Sequence, residues 1–400
     1  MKILICVFTF PPEQNGVSYV AGHHAREFVK RGHQVSVATS RQPGEPEFET
    51  ISGVDVYRFA ASGSAYPRSR YQGETQKYRE FLEKFDCDIA FFHCWQIWST
   101  DLSIQAFPKI RAKKVLVSHG VSANNFGGGP RRWLNWFLWR PYVWTTMPVI
   151  LSAMDHLVTL ATDKRPACFY DYHLAQRSEY RQLSVIPNGA DMEEIDAAPN
   201  SFREDMNIQT RTMLLCAANY DEPKNQLGVL EAFLQSRVRD TTLVFIGSEK
   251  NSYSSRLERL YGKAAKRDHT GPVLFCDRLT RGQLFSAYKA ADIVISGSKW
   301  ECQPLVLLDA MGAGKAFISS DVGCVSEMPG GVVVGNTEEM AAAMAQLVGN
   351  EAKRKELGSA GRQACETNYN WSAVGDRYEQ LVSDLTSGCA AKMTVGECPA

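Results

Sequence analysis

The chain has 400 residues, 44% of them apolar, with 44 basic and 44 acidic side chains. That length predicts two or three domains with a sizeable core, and zero net charge removes the attraction on which nucleic-acid binding rests. Eleven cysteines, scattered without C-x-x-C pairs, read as reduced thiols of a cytosolic protein and not as a disulfide framework.

Lys2 to Phe10, "KILICVFTF", predicts a buried first strand; Pro11 and Pro12 follow too soon for a signal peptide. "VSYVAGHHAREFVKRG" then places Val17, Val20, His24 and Phe28 at helical spacing, ended by Gly32. "HQVSVAT", "CDIAFFHC", "KVLVSH" and "HLVTLA" are further strands. Strands alternating with helices predict an α/β fold built on a parallel sheet covered on both faces. The stretch from Leu183 to Asp205 breaks the pattern: a strand, Pro187-Asn188-Gly189, then an acidic connector that reads as a domain boundary.

The alternation then restarts with "TMLLCAANY", a helix from Asn225 to Gln235, "TTLVFIG", a helix near Ser254 to Ala265, "VLFC", a helix over Gln283 to Ala290, and "DIVISGS". The expected division is an N-terminal domain over 1–191, a linker over 192–206, a C-terminal domain over 207–370, a last helix over 371–387 and a disordered tail over 388–400. No window of eighteen apolar residues occurs, so no membrane span is expected.

Gly16 lies between the first strand and the first helix, where a glycine admits a close ligand and a helix N-terminus offers free N–H groups. A turn that needs glycine for geometry alone is the plain alternative. The segment is not a G-x-G-x-x-G fingerprint, which argues against a dehydrogenase. His119 and Gly120 directly follow "KVLVS". Strand carboxyl ends face the ligand crevice in an open parallel sheet, so His119 can hydrogen-bond a sugar hydroxyl or phosphate, or simply cap the strand. His23, His24 and His93 are read as structural.

In "ANYDEPKNQLGVLEAF", Lys224 stands in a loop just before a helix, which suits a diphosphate, although loop lysines are usually solvated. "WECQPLVLLDAMGAG" spans Trp300 to Gly314. Glu301 falls on a loop at a helix mouth, Pro304 fits the first helical position, and Asp309 sits one turn inside an apolar helix. The two acids address two parts of one elongated ligand with the helix N-terminus between them. The bland alternative is a solvated Glu301 and an Asp309 bonded to backbone.

The glycine after the first strand, "SHG", "VIPNGAD", the lysine loop and "SKWECQPLVLLDAMGAGKAFISSDVG" together resemble the GT-B glycosyltransferases, in particular glycosyltransferase family 4, over about residues 1–383. The last stretch is similar to the family's Glu-x7-Glu signature. The resemblance implies two Rossmann-like domains facing across a cleft and a nucleotide-diphosphate sugar, UDP- or GDP-linked, bound mainly by the C-terminal domain. It also implies transfer with retention of configuration, no metal or other cofactor, and a final helix that crosses back to the first domain.

Carried over, Glu301 holds donor-sugar hydroxyls, Asp309 the ribose hydroxyls, and Lys224 the leaving diphosphate. Backbone around Gln303, Pro304, Leu305 and Val306 contacts sugar or phosphate, Gly16 permits approach to the diphosphate, and His119 faces the donor sugar. Asn219 counts with the donor-binding residues. Two departures stand out. Asp309 is one methylene shorter than the family's glutamate. Ala218-Asn219 replaces a frequent Gly-Arg pair, removing a cation worth roughly 3–4 kcal/mol of rate-limiting stabilisation. Arg278 and Arg281, nearby in sequence, are the candidate replacements. With no side chain standing out as a nucleophile, the family's front-face route is expected.

"RRWLNWFLWRPYVWTTM" interleaves Trp133, Trp136, Trp139 and Trp144 with Arg131, Arg132 and Arg140, a combination suited to a bilayer headgroup layer. It predicts a helix that docks on the cytoplasmic face of a membrane or grips a glycan or lipid-linked acceptor; a core helix with an acceptor-pocket wall is the alternative. The expected activity belongs to polysaccharide or glycoconjugate biosynthesis. The competing readings are a GT-B nucleotide-sugar epimerase and a sugar-nucleotide-binding pseudoenzyme that scaffolds a partner.

Overall fold

The computed structural model describes residues 1–13, 15–64, 70–121, 130–162, 170–178, 180, 182–265 and 271–387, with the side chains of 130–133, 135 and 136 left out. The tail expected over 388–400 lies outside the described residues.

The chain divides into two units, one of Met1–Pro187 together with Val374 onward, the other of Asn188–Ala373. The first is built on strands β1 (Lys2–Cys6), β2 (Gln34–Ser40), β3 (Phe48–Ile51), β4 (Val54–Phe59), β7 (Ile89–His93), β8 (Lys113–Val117), β9 (His156–Thr159) and β10 (Leu183–Val185), with a short antiparallel pair, β5 (Ala61–Ser62) and β6 (Gln72–Gly73), beside them. The strand order is β10-β9-β8-β7-β1-β2-β4-β3. Pairing is parallel except between β3 and β4. β7 is buried at every residue, as a strand covered on both faces must be, and its apolar run shows no alternation for that reason. Leu4, Phe92, Leu116 and Leu157 pack with Tyr78, Trp98 and Ile150 on one side of this sheet.

From Val374 on, the last helix, Trp371–Thr386, belongs to this first unit. Arg31 Nη2 donates to Asp376 Oδ1 at 2.6 Å, His33 Nε2 lies 2.6 Å from Glu379 Oε2, and the Tyr378 ring packs 4.4 Å from that of His24. Gly375 makes room for this: a Cβ there would stand 2.6 Å from Arg31 Nη1.

The second unit carries β11 (Thr212–Ala217), β12 (Thr241–Gly247), β13 (Val273–Asp277), β14 (Ile293–Ser296), β15 (Ala316–Ser320) and β16 (Gly331–Val334), all parallel, in the order β13-β12-β11-β14-β15-β16. Leu214, Phe245, Ile295 and Ile318 meet Phe233 and Met344 in its core. The stretch read as a linker, 192–206, is instead folded into this unit as two short helices, Met192–Ala197 and Phe202–Asp205. Its acidic composition hides two apolar anchors, Ile195 and Phe202, which are buried, and Asp191 caps the first helix by accepting from the Glu194 N–H at 3.1 Å.

Among its parallel strands each sheet reverses its chain order at one place, between β1 and β7 in the first unit and between β11 and β14 in the second. Crossover helices leave such a point in opposite directions, so the loops beyond the strand carboxyl ends part there and open a crevice where ligands bind.

Candidate active site

At the reversal point of the second unit, the loop after β11 and the loop after β14 are tied together. Gln226, fully buried, donates from Nε2 to the Ala218 and Asn219 carbonyls at 3.1 and 2.7 Å. The Lys299 N–H donates to the Pro223 carbonyl at 2.8 Å. Gly297 permits this approach, since a Cβ there would meet Val229 Cγ2 at 2.6 Å and the Asn225 carbonyl at 3.0 Å. The result brings two of the candidate residues into direct contact. Lys224 Nζ donates to Glu301 Oε1 at 2.5 Å, and Ser298 Oγ donates to the same oxygen at 2.9 Å. Glu301 Oε2 has no protein partner among the described residues. Asn219 sits exposed on the β11 loop.

The helix Leu305–Gly312 begins beside this pair. Pro304 is its N-cap, with extended backbone (φ −73°, ψ 115°), and not its first helical residue. The correction has a chemical consequence: a proline cap has no side-chain acceptor, so the N–H groups of Leu305 and Val306 are left without intrahelical or capping partners at the positive end of the helix. Gln303 is buried and its Oε1 accepts from the Asn188 N–H at 2.7 Å, which locks "VIPNGAD" against the "ECQP" loop. Gly323 (φ +53°) braces the other side. A Cβ there would lie 2.1 Å from the Cys302 carbonyl, the same oxygen that accepts from the Cys324 N–H at 3.0 Å.

Asp309 is buried in the middle of that helix, and its Oδ1 finds no hydrogen-bond partner among the described residues. Burial lifts its carboxyl to about 7; Arg281 opposes the shift, while Asp191 and Glu194 add to it. Arg281 itself pairs with Glu194 and lies 4.5 Å over the Phe285 ring. Arg278 pairs with Glu249. Both arginines named as candidates to replace the missing Gly-Arg cation thus pair with surface glutamates in this structure, and the charge of Arg281 also reaches Asp309.

In the first unit, Gly16 is the first residue of the helix Gly16–Lys30 and not part of the loop before it. Asn15 caps that helix, accepting from the Ser18 N–H at 3.0 Å, and its Nδ2 donates to Thr9 Oγ1 at 2.8 Å. His119 follows β8, with Nε2 3.1 Å from His93 Nδ1, and the His24 ring lies 5.3 Å from that of His93. Burial holds the His119 imidazole at about 4, so it is neutral at neutral pH. Two histidines read from sequence as structural therefore sit with the one read as functional.

Of the tryptophan set, the side chains of Trp133 and Trp136 lie outside the described residues. Trp139 is buried, its ring edge-on to Tyr142 at 5.7 Å, which removes it from any bilayer-facing surface. It shares its inward side with Tyr142, Val143 and Met147. The outward residues are Leu134, Phe137 and Trp144, with the Arg140 guanidinium 4.5 Å over the Trp144 ring. Among the described residues no helix is long and apolar enough to cross a membrane.

Ser298, Gln226, Gly323 and the Gln303 side chain escaped the sequence reading. Only Gly323, a glycine three residues beyond the strand "AFISS", carried a visible turn signal. Gln303 acts through Asn188, 115 positions away, while Ser298 and Gln226 act on Glu301 and on the Ala218 and Asn219 carbonyls, within eight positions, through a loop geometry that no periodicity marks.

Two family models match consecutive parts of the chain, one described as Glycosyltransferase Family 4 over residues 14–194, the other as Glycosyl transferases group 1 over 199–364. The chain is 26% identical over 413 residues to phosphatidyl-myo-inositol mannosyltransferase of Mycobacterium tuberculosis, covering 98% of each. A shorter match, 30% over 123 residues, is to alpha-maltose-1-phosphate synthase of the same species; it takes in 28% of this chain and spans 32% of that relative's length. Among solved structures, sucrose-phosphate synthase from Thermosynechococcus elongatus superposes with a TM-score of 0.73 over 97% of this chain and 99% of that one, at 17% identity, a likeness of fold.

Proposed function

We propose, from the premise that the chain belongs to glycosyltransferase family 4 and has the GT-B fold, that it moves a sugar from a nucleotide-diphosphate donor to a hydroxyl of a glycan or lipid-linked glycan, with retention and without a metal. The observation that carries this reading is the Lys224–Glu301 contact at the β11/β14 reversal point. Glu301 keeps one oxygen for Lys224 and Ser298 and has the other for donor-sugar hydroxyls. Lys224 and the uncapped N–H groups of Leu305 and Val306 supply positive charge for a diphosphate. Asp309 Oδ1, buried and unpartnered, is the acceptor for ribose hydroxyls. Gln303, Pro304 and Gly323 act by holding the loop, and Asn219 borders it.

The step we favour is a front-face displacement. The bond from the anomeric carbon to the diphosphate oxygen breaks, the acceptor oxygen bonds to the same face, and the acceptor proton passes to the leaving phosphate oxygen. For His119 we keep a sugar-hydroxyl contact, and Gly16 an approach to the diphosphate. The mannosyltransferase relative, whose name specifies a phosphatidylinositol acceptor, supports a lipid-linked acceptor and, with exposed Leu134, Phe137 and Trp144, a peripheral location on the cytoplasmic face of a membrane.

The test is incubation with a panel of UDP- and GDP-sugars, with and without lipid and glycan acceptor extract, followed by measurement of released nucleoside diphosphate and of the product's anomeric configuration by NMR. Acceptor-dependent release that gives a retained anomer and disappears in Glu301→Ala is the expected result. Donor binding without release, or an inverted product, overturns the reading.

A further inference from the structure

His93 closes β7, at the reversal point of the first sheet, and has no exposed surface. Its Nδ1 lies 3.1 Å from His119 Nε2 at the end of the adjacent strand β8, and its Nε2 is buried with no partner among the described residues. The His24 ring packs on it from the helix Gly16–Lys30.

Burial, then the neighbouring imidazoles of His119 and His24, hold His93 well below the ordinary histidine range, and burial does the same for His119. Two neutral rings share one proton in this contact, so two arrangements exist. If His119 Nε2 carries the proton, His93 Nδ1 is the acceptor, and the His93 proton must sit on Nε2 as a buried donor with nothing to receive it. If His93 Nδ1 carries the proton, its Nε2 is a bare acceptor and His119 holds its own proton on Nδ1. A buried orphan N–H is the costlier and rarer defect.

We infer that His93 is a positioning residue that fixes His119 in the tautomer protonated on Nδ1, so that His119 meets its ligand as a hydrogen-bond donor and cannot serve there as a base. The effect on turnover rests on the sugar contact proposed for His119; the tautomer does not.

Long-range proton–nitrogen NMR of the full-length protein labelled at the histidine rings reads the tautomer directly near neutral pH, with His119 assigned by its loss in His119→Asn. A protonated Nδ1 and bare Nε2 on His119 are expected; the reverse pattern overturns the inference. His93→Asn places an amide donor where Nδ1 stood and is expected to keep the His119 tautomer. His93→Asp places an acceptor there and is expected to move the proton to Nε2 and raise the His119 titration midpoint. A merely space-filling His93 would give the same His119 spectrum in both variants, which also overturns the inference. If His93→Asp does not fold, the wild type and His93→Asn spectra decide. With an active donor, His93→Asp is expected to lower kcat by about tenfold, the size of one misdirected hydrogen bond, and His93→Asn to restore most of it. If no sugar nucleotide is turned over, the proposed function fails while the tautomer is still read.

Discussion

Lys224 Nζ and Glu301 Oε1 stand 2.5 Å apart across 77 positions of sequence, one on the loop after β11 and the other on the loop after β14. The pair is partly open to solvent on the lysine side and more enclosed at the glutamate. It therefore contributes little to stability by itself, while fixing where a cation and a carboxylate face a ligand.

Glu301→Gln is accordingly expected to lower stability by about 1 kcal/mol or less and to reduce kcat/KM by about a hundredfold or more. Thermal melts and donor kinetics on the same preparation check this. Lys224→Met should cost a similar factor, and the double variant should fall well short of the product of the two, because each single change disables the same contact.

Asp309 predicts a pH-dependent stability. Its folded carboxyl titrates near 7 and its unfolded one near 3.8, so the contribution of this group is full below about pH 4 and is lost as pH rises to about 7. Asp309→Asn removes the charge that burial opposes. Relative to wild type it should gain stability between pH 4 and 7 and hold a constant advantage above that, on the order of 2–4 kcal/mol. Urea unfolding at a series of pH values measures it; parallel wild-type and variant profiles would refute the assignment. The same variant keeps one amide oxygen for a ribose hydroxyl, so donor affinity should lose its pH dependence and not vanish.

Gly323→Ala puts a methyl against the Cys302 carbonyl at a backbone conformation that L-residues avoid. The expected loss is roughly 1–3 kcal/mol, together with a displaced Glu301 loop. Donor affinity, read by isothermal calorimetry, should therefore weaken in protein that is still folded. An unchanged affinity would show that the 322–324 turn does not hold the loop.

The outward stripe of Leu134, Phe137 and Trp144 predicts binding to anionic vesicles. Wild type should float with them, and Phe137→Ser/Trp144→Ser should stay behind, since these side chains are 71% and 62% exposed and their loss leaves the core alone. Wild type that remains in the soluble fraction would end the membrane proposal.

The apolar runs "IAFFH" and "LVFIG" were legible as buried strands because burial on both faces removes alternation, and the linear pattern records that directly. The motif "WECQPLVLLDAMGAG" was legible as a loop, a proline and a short helix, with one acid outside it and one inside. Composition misled at 192–206, where acidic residues outnumber the two apolar anchors that dock it, and at Trp139, where a tryptophan pattern suited to a membrane also suits a core. In both places local pattern reports how polar a segment is and not which side of it finds a neighbour.

The sequence by itself determined the strand and helix series, the placement of Glu301 at a helix mouth and Asp309 a turn inside it, and the resemblance to a family. Only the tertiary structure decided that Lys224 meets Glu301, that His93 meets His119, that Gln303 locks Asn188, and that Arg278 and Arg281 pair with Glu249 and Glu194. The reason is geometric. Periodicity encodes the solvent exposure of each residue along one element, whereas these contacts depend on which strands lie side by side, and strand order is set by the packing of the whole sheet.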